Sequence, residues 1–349
     1  MKNISGIVFL SFPFAAGTAA SALIAEPFAG ALGSSLGAVA LLCFCAVSGR
    51  RDKGLLMAAF FFLGCLCWNS HALMPPPPRP EKSHAVLELA RSIDRTPFTG
   101  ENSRATIKAL LTGIRDELPR DTVRIFRESG ASHILALSGL HLGIIYLCLK
   151  RLLLPLGNSV PARTAGSAAV IVLCGLYALG TGASPSIVRA FLFILIGETG
   201  RALSGRRHSP AGTLCTALTL QLCISPLLIS SPGFQLSYLA MLGITLLYPH
   251  LEAWYPEGGG PLRRVWKAAA LTISCQLFTA PAAWYHFRSL PLYFLITNLL
   301  SLPLAELVIV SAIASLVLEA TGAQPQLLPR ACGTLVRVLE FCLETISSI

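Results

Sequence analysis

The sequence reads as all-α, a polytopic transmembrane helical bundle of about ten spans, and three observations carry that reading. The chain is 54 % hydrophobic and only 13 % charged, against roughly 25 % charged in soluble domains, and its mean hydropathy is +0.66. Its apolar runs approach the ~20 residues that a spanning helix needs. Its lysines and arginines gather at every second connection between those runs, the bias expected of cytoplasmic loops.

Spans are expected at 4–25, 28–48, 54–74, 134–149, 165–181, 186–203, 211–229, 234–249, 266–283 and 291–319. The first follows Lys2. Its small residues GTAASA also suit a signal peptide, but its full length and the second run close behind favour a membrane helix. The turn Arg50-Arg51-Asp52-Lys53 divides the second run from the third. Lys150, Arg151 and Arg163 bracket the connection after 134–149, Arg201, Arg206 and Arg207 the one after 186–203, and Arg263, Arg264 and Lys267 cluster at the start of 266–283. The intervening AEP, TGASPS and SSPG carry no Lys or Arg, and YHFRSLP carries only Arg288. This alternation places the N-terminus in the cytoplasm and 75–133 outside it. The last run contains Pro303 and has room for two short helices, after which 327–347 reads as an amphipathic helix interrupted by Arg330, Arg337, Glu340 and Glu344. The chain thus divides into N-terminal membrane helices (1–74), an extracytoplasmic amphipathic segment (75–133), a second membrane block (134–319) and a C-terminal amphipathic helix (320–349).

The outer segment leaves the membrane through MPPPPRPEK, a stiff polyproline-like exit. Three helical patterns follow, in KSHAVLELARSIDR, ENSRATIKALLTGIRDEL and PRDTVRIFRESG. In the second, Ala105, Ile107, Leu110, Leu111 and Ile114 mark an apolar face and Arg104, Lys108 and Arg115 a polar one. Between Arg79 and Glu128 ten basic residues stand against eight acidic ones, which describes a solvated surface better than a basic platform for nucleic acid.

The eleven cysteines fall in apolar runs or on the late helix, where Cys packs as a small apolar residue. Cys43/Cys45 and Cys65/Cys67 are C-x-C pairs whose side chains diverge by roughly 200° on a helix, so neither disulfide nor metal chemistry is expected. The sequence contains no H-E-x-x-H or P-loop string. No catalytic residue, metal or cofactor is expected, and the chain reads as a transport protein and not an enzyme.

Four polar clusters interrupt the apolar pattern. In ILALSGLHLGIIY, Ser138, Gly139 and His141 sit near the start of a membrane run. Either they pack against neighbouring helices, Gly139 and Gly143 as a small-xxx-small pair, or they face a polar passage. In TGASPSIVRAFLF, a tight turn over Gly182–Pro185 precedes Arg189, which either snorkels to the outer surface or faces a polar interior. In SPGFQLSYLAMLGITLLYP, Gln235 and Ser237 follow the break at Pro232-Gly233, and Gln235 and Tyr238 share a face on which bases could stack. In the fourth, Gln276, His286, Asn298 and Glu306 are polar groups at or inside the membrane, and Pro303 breaks the ladder joining the last two, as suits a lined cavity.

Taken in order, these strings resemble the ComEC family of inner-membrane DNA-uptake channels. The matching stretches are ALLTGIRDELPRDTVRIFRESGASHILALSGLHLGII, TGASPSIVRAFLF, SPLLISSPGFQLSYLAMLGITLLYP and YHF…TNLLSLPLAEL, over residues 109–145 and most of the chain to about 306. The resemblance implies a competence-type channel passing single-stranded DNA into the cytoplasm, with Ser138, Gly139, His141, Arg189, Gln235 and Ser237 lining it. Two departures stand out. The 75–132 gap looks helical where relatives often carry an OB-like domain, and no H-x-H-x-D-H string marks a metallo-β-lactamase-like nuclease domain. The partners implied are single-stranded DNA, membrane lipids, and a separate DNA-uptake pilus or DNA receptor, cytoplasmic translocase and nuclease; a pore between two copies in a homodimer is as compatible as one within a chain. A different class, a transporter of a small solute or lipid built on the same membrane fold, would place its substrate at Asn298–Glu306.

Overall fold

The computed structural model describes residues 6–23, 27–48, 53–75, 82–153, 160–204, 209–255, 260–291, 293–322 and 326–348. The charges at Lys2, Arg50–Asp52, Arg206 and Arg207, the Arg163 side chain and most of the proline-rich exit lie outside the described residues. Among those described, every regular element is a helix. In chain order they are α1 (Gly6–Ser21), α2 (Pro27–Ser48), α3 (Lys53–Ala72), α4 (His84–Arg95), α5 (Glu101–Thr112), α6 (Arg120–Glu128), α7 (Ser132–Leu135), α8 (Gly139–Leu153), α9 (Val160–Gly180), α10 (Pro185–Ser204), α11 (Pro210–Ile224), α12 (Pro232–Leu246), α13 (Tyr248–Ala253), α14 (Pro261–Phe287), α15 (Phe294–Ala320) and α16 (Leu327–Ser347).

The all-α reading stands. The count of ten spans is another matter: by length and composition α3 and α15 alone among the described helices reach across a membrane, with α1, α11 and parts of α2 and α9 as shorter apolar helices. Two of the reasons are physical. At 15 residues each, α8 and α12 are about 22 Å long, short of a ~30 Å hydrocarbon core, and α10 carries Arg189, Glu198 and Arg201. Exposed apolar residues such as Leu173, Leu176 and Leu179 on α9 and Ile296, Leu300, Leu307 and Val310 on α15 form the kind of surface lipid covers.

The chain packs as two compact units, 1–79 with 192–245 and 80–191 with 246–349. In the first, α1 and α3 meet through glycine. A Cβ on Gly17 would lie 1.9 Å from the Phe61 carbonyl oxygen, and one on Gly64 would lie 2.1 Å from that of Phe14. Backbones that approach this closely have no room for any side chain, the packing mode of small residues between membrane helices. Inward-facing polar groups reinforce the contact: Asn69 Nδ2 donates to Ser21 Oγ (3.3 Å) and Cys65 Sγ to Gly17 O (3.3 Å). The ten described cysteines are free thiols.

The second unit is organised around α5, where Ser103 and every residue from Ala105 to Thr112 are buried. This corrects the expectation of a solvated polar face at Lys108. Its ammonium is enclosed, with 4 % of the side chain exposed, and bonds Asp94 Oδ1 at 2.7 Å and Glu117 Oε1 and Oε2 at 2.8 and 2.7 Å. Helix α16 lies on the same core. Ser103 Oγ donates to Gly333 O (3.4 Å), Thr106 Oγ1 to Glu340 Oε1 (3.0 Å), and Cys332, Val336, Leu339 and Leu343 are fully buried beside Ile107 and Leu110. Helices α4 to α7 and α16 therefore share one core. Helix α15 passes through Pro303 as one helix, although the run had room for two short ones. Residues of the 75–133 segment bond it near both ends: Thr297 Oγ1 donates to Ser129 O (2.8 Å), and Thr96 bonds Glu319. Those positions are about 33 Å apart along the helix.

Candidate binding site at the start of α8

Three connections converge where α8 begins. Helix α5 ends at Gly113 in the left-handed conformation (φ 69°), which glycine adopts without strain. The turn sets Gly113 against Leu137, whose Cδ1 would stand 2.4 Å from an added Cβ. Between α9 and α10 the chain turns through Gly182 (φ 91°) and Ala183 (φ 48°), and Pro185 opens α10 with Ser184 Oγ accepting from Ile187 N–H (3.4 Å). That same Ser184 hydroxyl donates to Leu137 O (3.5 Å). The Tyr177 hydroxyl donates to Leu111 O (2.8 Å) and the Ser83 N–H to Gly180 O (2.9 Å), so α4 and α5 are both fastened to the end of α9.

Ser138 caps α8, its Oγ accepting from Leu140 N–H at 3.3 Å. The Ser138 backbone N–H donates to His141 Nδ1 at 3.1 Å, and Ser138 Oγ stands 2.9 Å from the same nitrogen. A backbone N–H can only donate, so Nδ1 carries the lone pair and Nε2 the proton. His141 is 1 % exposed, and Nε2 has no hydrogen-bond partner in the structure. A Cβ at Gly139 would be a tight fit, meeting Arg189 Nη2 at 3.1 Å and Ala190 Cβ at 3.2 Å. The Arg189 guanidinium therefore rests against the first turn of α8, the positive end of that helix. Arg189 also lies within electrostatic range of Cys275 on α14.

The structure thus brings Ser138, Gly139, His141 and Arg189 to one place. Gln235 and Ser237 belong to the first unit, where Gln235 Nε2 donates to Ile229 O (2.8 Å). The stacking face expected there is closed: Tyr238 is buried, its ring 4.6 Å from that of Phe234 and its hydroxyl bonded to Gln221 Oε1 (2.8 Å). Gln276 and His286 are half-buried on α14, Asn298 half-buried on α15, and Glu306 exposed on α15 beside Leu307. Arg115 was read in the sequence only as part of a polar face, and His133 was not singled out. Both lie within electrostatic range of His141.

A family model described as competence protein matches residues 110–349, which hold this cluster. The chain belongs to the competence protein family. Among its relatives is ComE operon protein 3 of Bacillus subtilis (strain 168), 26 % identical over 224 residues that make up 63 % of this chain and 27 % of that protein. An uncharacterized protein of Aquifex aeolicus (strain VF5) is 32 % identical over 290 residues, 80 % of this chain and 62 % of that one. The uncharacterized protein YcaI of Escherichia coli (strain K12) is 27 % identical over 227 residues, 62 % of this chain and 29 % of its own length. The chain spans less than two thirds of each of these relatives. No solved structure matches. Membership of this family, with two helices long and apolar enough to cross a bilayer, points to a membrane protein.

Proposed function

We propose that this protein forms an inner-membrane channel that passes single-stranded DNA into the cytoplasm during natural transformation. The observation that carries the reading is the donor-rich start of α8, Ser138-Gly139-x-His141 with Arg189, inside the region matched by the competence family. An extended polyanion needs cationic groups and hydrogen-bond donors along its path. The topology that goes with this function has many spans, a cytoplasmic N-terminus and the 75–133 segment outside, as the alternation of Lys and Arg supports. A DNA-uptake pilus or receptor would deliver the strand, and a separate nuclease and cytoplasmic translocase would process and draw it.

Deletion of the gene, scored for internalisation of labelled DNA, tests the proposal. Surface-bound DNA that stays outside in the deletion strain and enters on complementation is the expected result. Undiminished internalisation without the gene would refute it.

A further inference from the structure

We infer that α15 does not cross the bilayer but lies flat on it, its exposed apolar row seated in the lipid of the membrane face that carries 75–133. This placement holds whatever cargo the protein moves, because it depends only on which helices share a side. Helix α14 ends at Phe287, and Pro291 in the connection that follows packs on Gly130, where an added Cβ would stand 2.5 Å from the Pro291 Cβ. Thr297, at the start of α15, bonds Ser129 in the same place. At the other end Glu319 bonds Thr96. Helix α16 then returns over α5, with Gly333 so close to Thr99 that a Cβ would lie 2.9 Å from its carbonyl oxygen. Residues of one segment, 96–130, thus meet both ends of a 27-residue helix about 40 Å long. Val336, Leu339 and Leu343 of α16 are buried in the core that α5 occupies. A single crossing by α15 would put α16 on the opposite side of the membrane from α5. A re-entrant pair of short helices would restore the side, but α15 is one helix through Pro303.

The two faces of α15 agree with that placement. Ile296, Leu300, Leu307, Val310 and Val317 are each between 44 and 56 % exposed, and at about 100° per residue they fall within an arc of about 100°. Ala305, Val308, Ile309 and Ala312 are buried on the opposite side. A continuous exposed apolar row needs a cover, and the end of α14 indicates which. Trp284, Tyr285, Phe287 and Tyr293 are exposed immediately before the row begins, and Trp and Tyr favour the headgroup level of a bilayer. The row therefore starts at headgroup depth and stays there. Glu306, exposed in the middle of α15 at the edge of the row, then reaches headgroup water. In a crossing helix that carboxylate would stand near the centre of the bilayer. Arg330, Arg337 and Glu344, exposed on the α16 packed along α15, would come to membrane depth with it, where each charge is costly. One face on protein and the other about 5–10 Å into the headgroup boundary is the arrangement of a monotopic helix.

The test uses the full chain depleted of cysteine, with single cysteines at the exposed positions Asp121→Cys on α6 and Glu344→Cys on α16. A membrane-impermeant maleimide should label both in intact cells. Labelling of both only after lysis would invert the orientation and keep α15 flat, whereas one labelled in intact cells and the other only after lysis would overturn the inference. Depth is read on the purified chain in nanodiscs of phosphatidylethanolamine and phosphatidylglycerol containing nitroxide-labelled lipids, with a fluorophore on Ile296→Cys, Leu307→Cys or Val317→Cys. A flat helix gives all three positions several times more quenching from a nitroxide near the headgroup than from one near the chain end. A crossing helix reverses that ratio at Leu307→Cys alone. Labels that no nitroxide quenches would mean that protein covers the row, and would overturn lipid as its occupant.

Discussion

Lys108 is the buried charge whose energetics the structure defines most sharply, and the cost of disturbing it depends on which partner is removed. Its side chain is 4 % exposed, whereas Asp94 and Glu117 keep 44 % and 56 % exposure. In Lys108→Met a side chain of similar volume fills the space, and both carboxylates turn back to water. The loss is then bounded by two screened pairs, ~0–1 kcal/mol each, and is reduced because an ammonium no longer has to be dehydrated. Removing the partners instead, in Asp94→Asn/Glu117→Gln, strands a cation in the core, and an uncompensated buried charge costs about 3–5 kcal/mol. The double variant should therefore unfold at clearly lower temperature or urea than Lys108→Met. The pH dependence should differ in sign as well. Burial alone would lower the Lys108 pKa, but Asp94 and Glu117 outweigh it and hold it above the ordinary lysine value. The wild-type contribution is thus full below the unfolded pKa and lost as pH rises through the raised folded one. Without its partners only burial remains, so the double variant should recover stability as pH rises into the alkaline range. Thermal unfolding in mild detergent, followed by circular dichroism at neutral and alkaline pH, reads both effects. A Lys108→Met loss equal to or larger than that of the double variant would refute the reasoning.

Gly17→Ala should destabilise the first unit by about 1–3 kcal/mol, the usual penalty of overpacking, because its Cβ would meet backbone at 1.9 Å; an unchanged melting temperature would contradict the α1–α3 contact. The orientation of the outer segment is best probed at Asp121, which is 81 % exposed, since Ser103 is buried. A cysteine placed there in a cysteine-depleted chain should be labelled from outside the cell, and labelling only from the cytoplasmic side would invert the topology. Arg189→Lys should lower DNA uptake strongly at unchanged membrane levels, because lysine keeps the charge but not the fork. Uptake equal to wild type would remove Arg189 from the DNA path.

Local signals in the sequence located the helix starts well. Pro185 after Ser184 opens α10, Pro210 after Ser209 opens α11 with Ser209 Oγ accepting from Gly212 N–H (3.1 Å), and Pro232 opens α12. The polar group at 138–141 was legible for the same reason, being local. What stayed hidden depended on partners distant in sequence. Lys108 resembles any solvated lysine until Asp94 and Glu117 enclose it, and Tyr238 resembles a stacking platform until Gln221 and Phe234 take its hydroxyl and ring. Pro303 suggested a break, yet α15 runs through it with Ala305, Val308, Ile309 and Ala312 packed into the core on one side. The role of Gly139 was ambiguous in sequence because only the contact with Arg189 across the fold shows how closely the two helices meet there.

The sharing of one core by α5 and α16 also dictates an order of events during synthesis. Ser103 and Thr106 find their partners at Gly333 and Glu340, 230 and 234 residues later in the chain. Until the last helix leaves the ribosome, α5 has lost one wall, and the apolar surface around Ile107 and Leu110 stands uncovered. Contacts of such long sequence separation form slowly, and chains waiting for them expose surfaces that aggregate or recruit chaperones. A ribosome that stalls before residue 327 therefore releases a chain whose second unit has never closed.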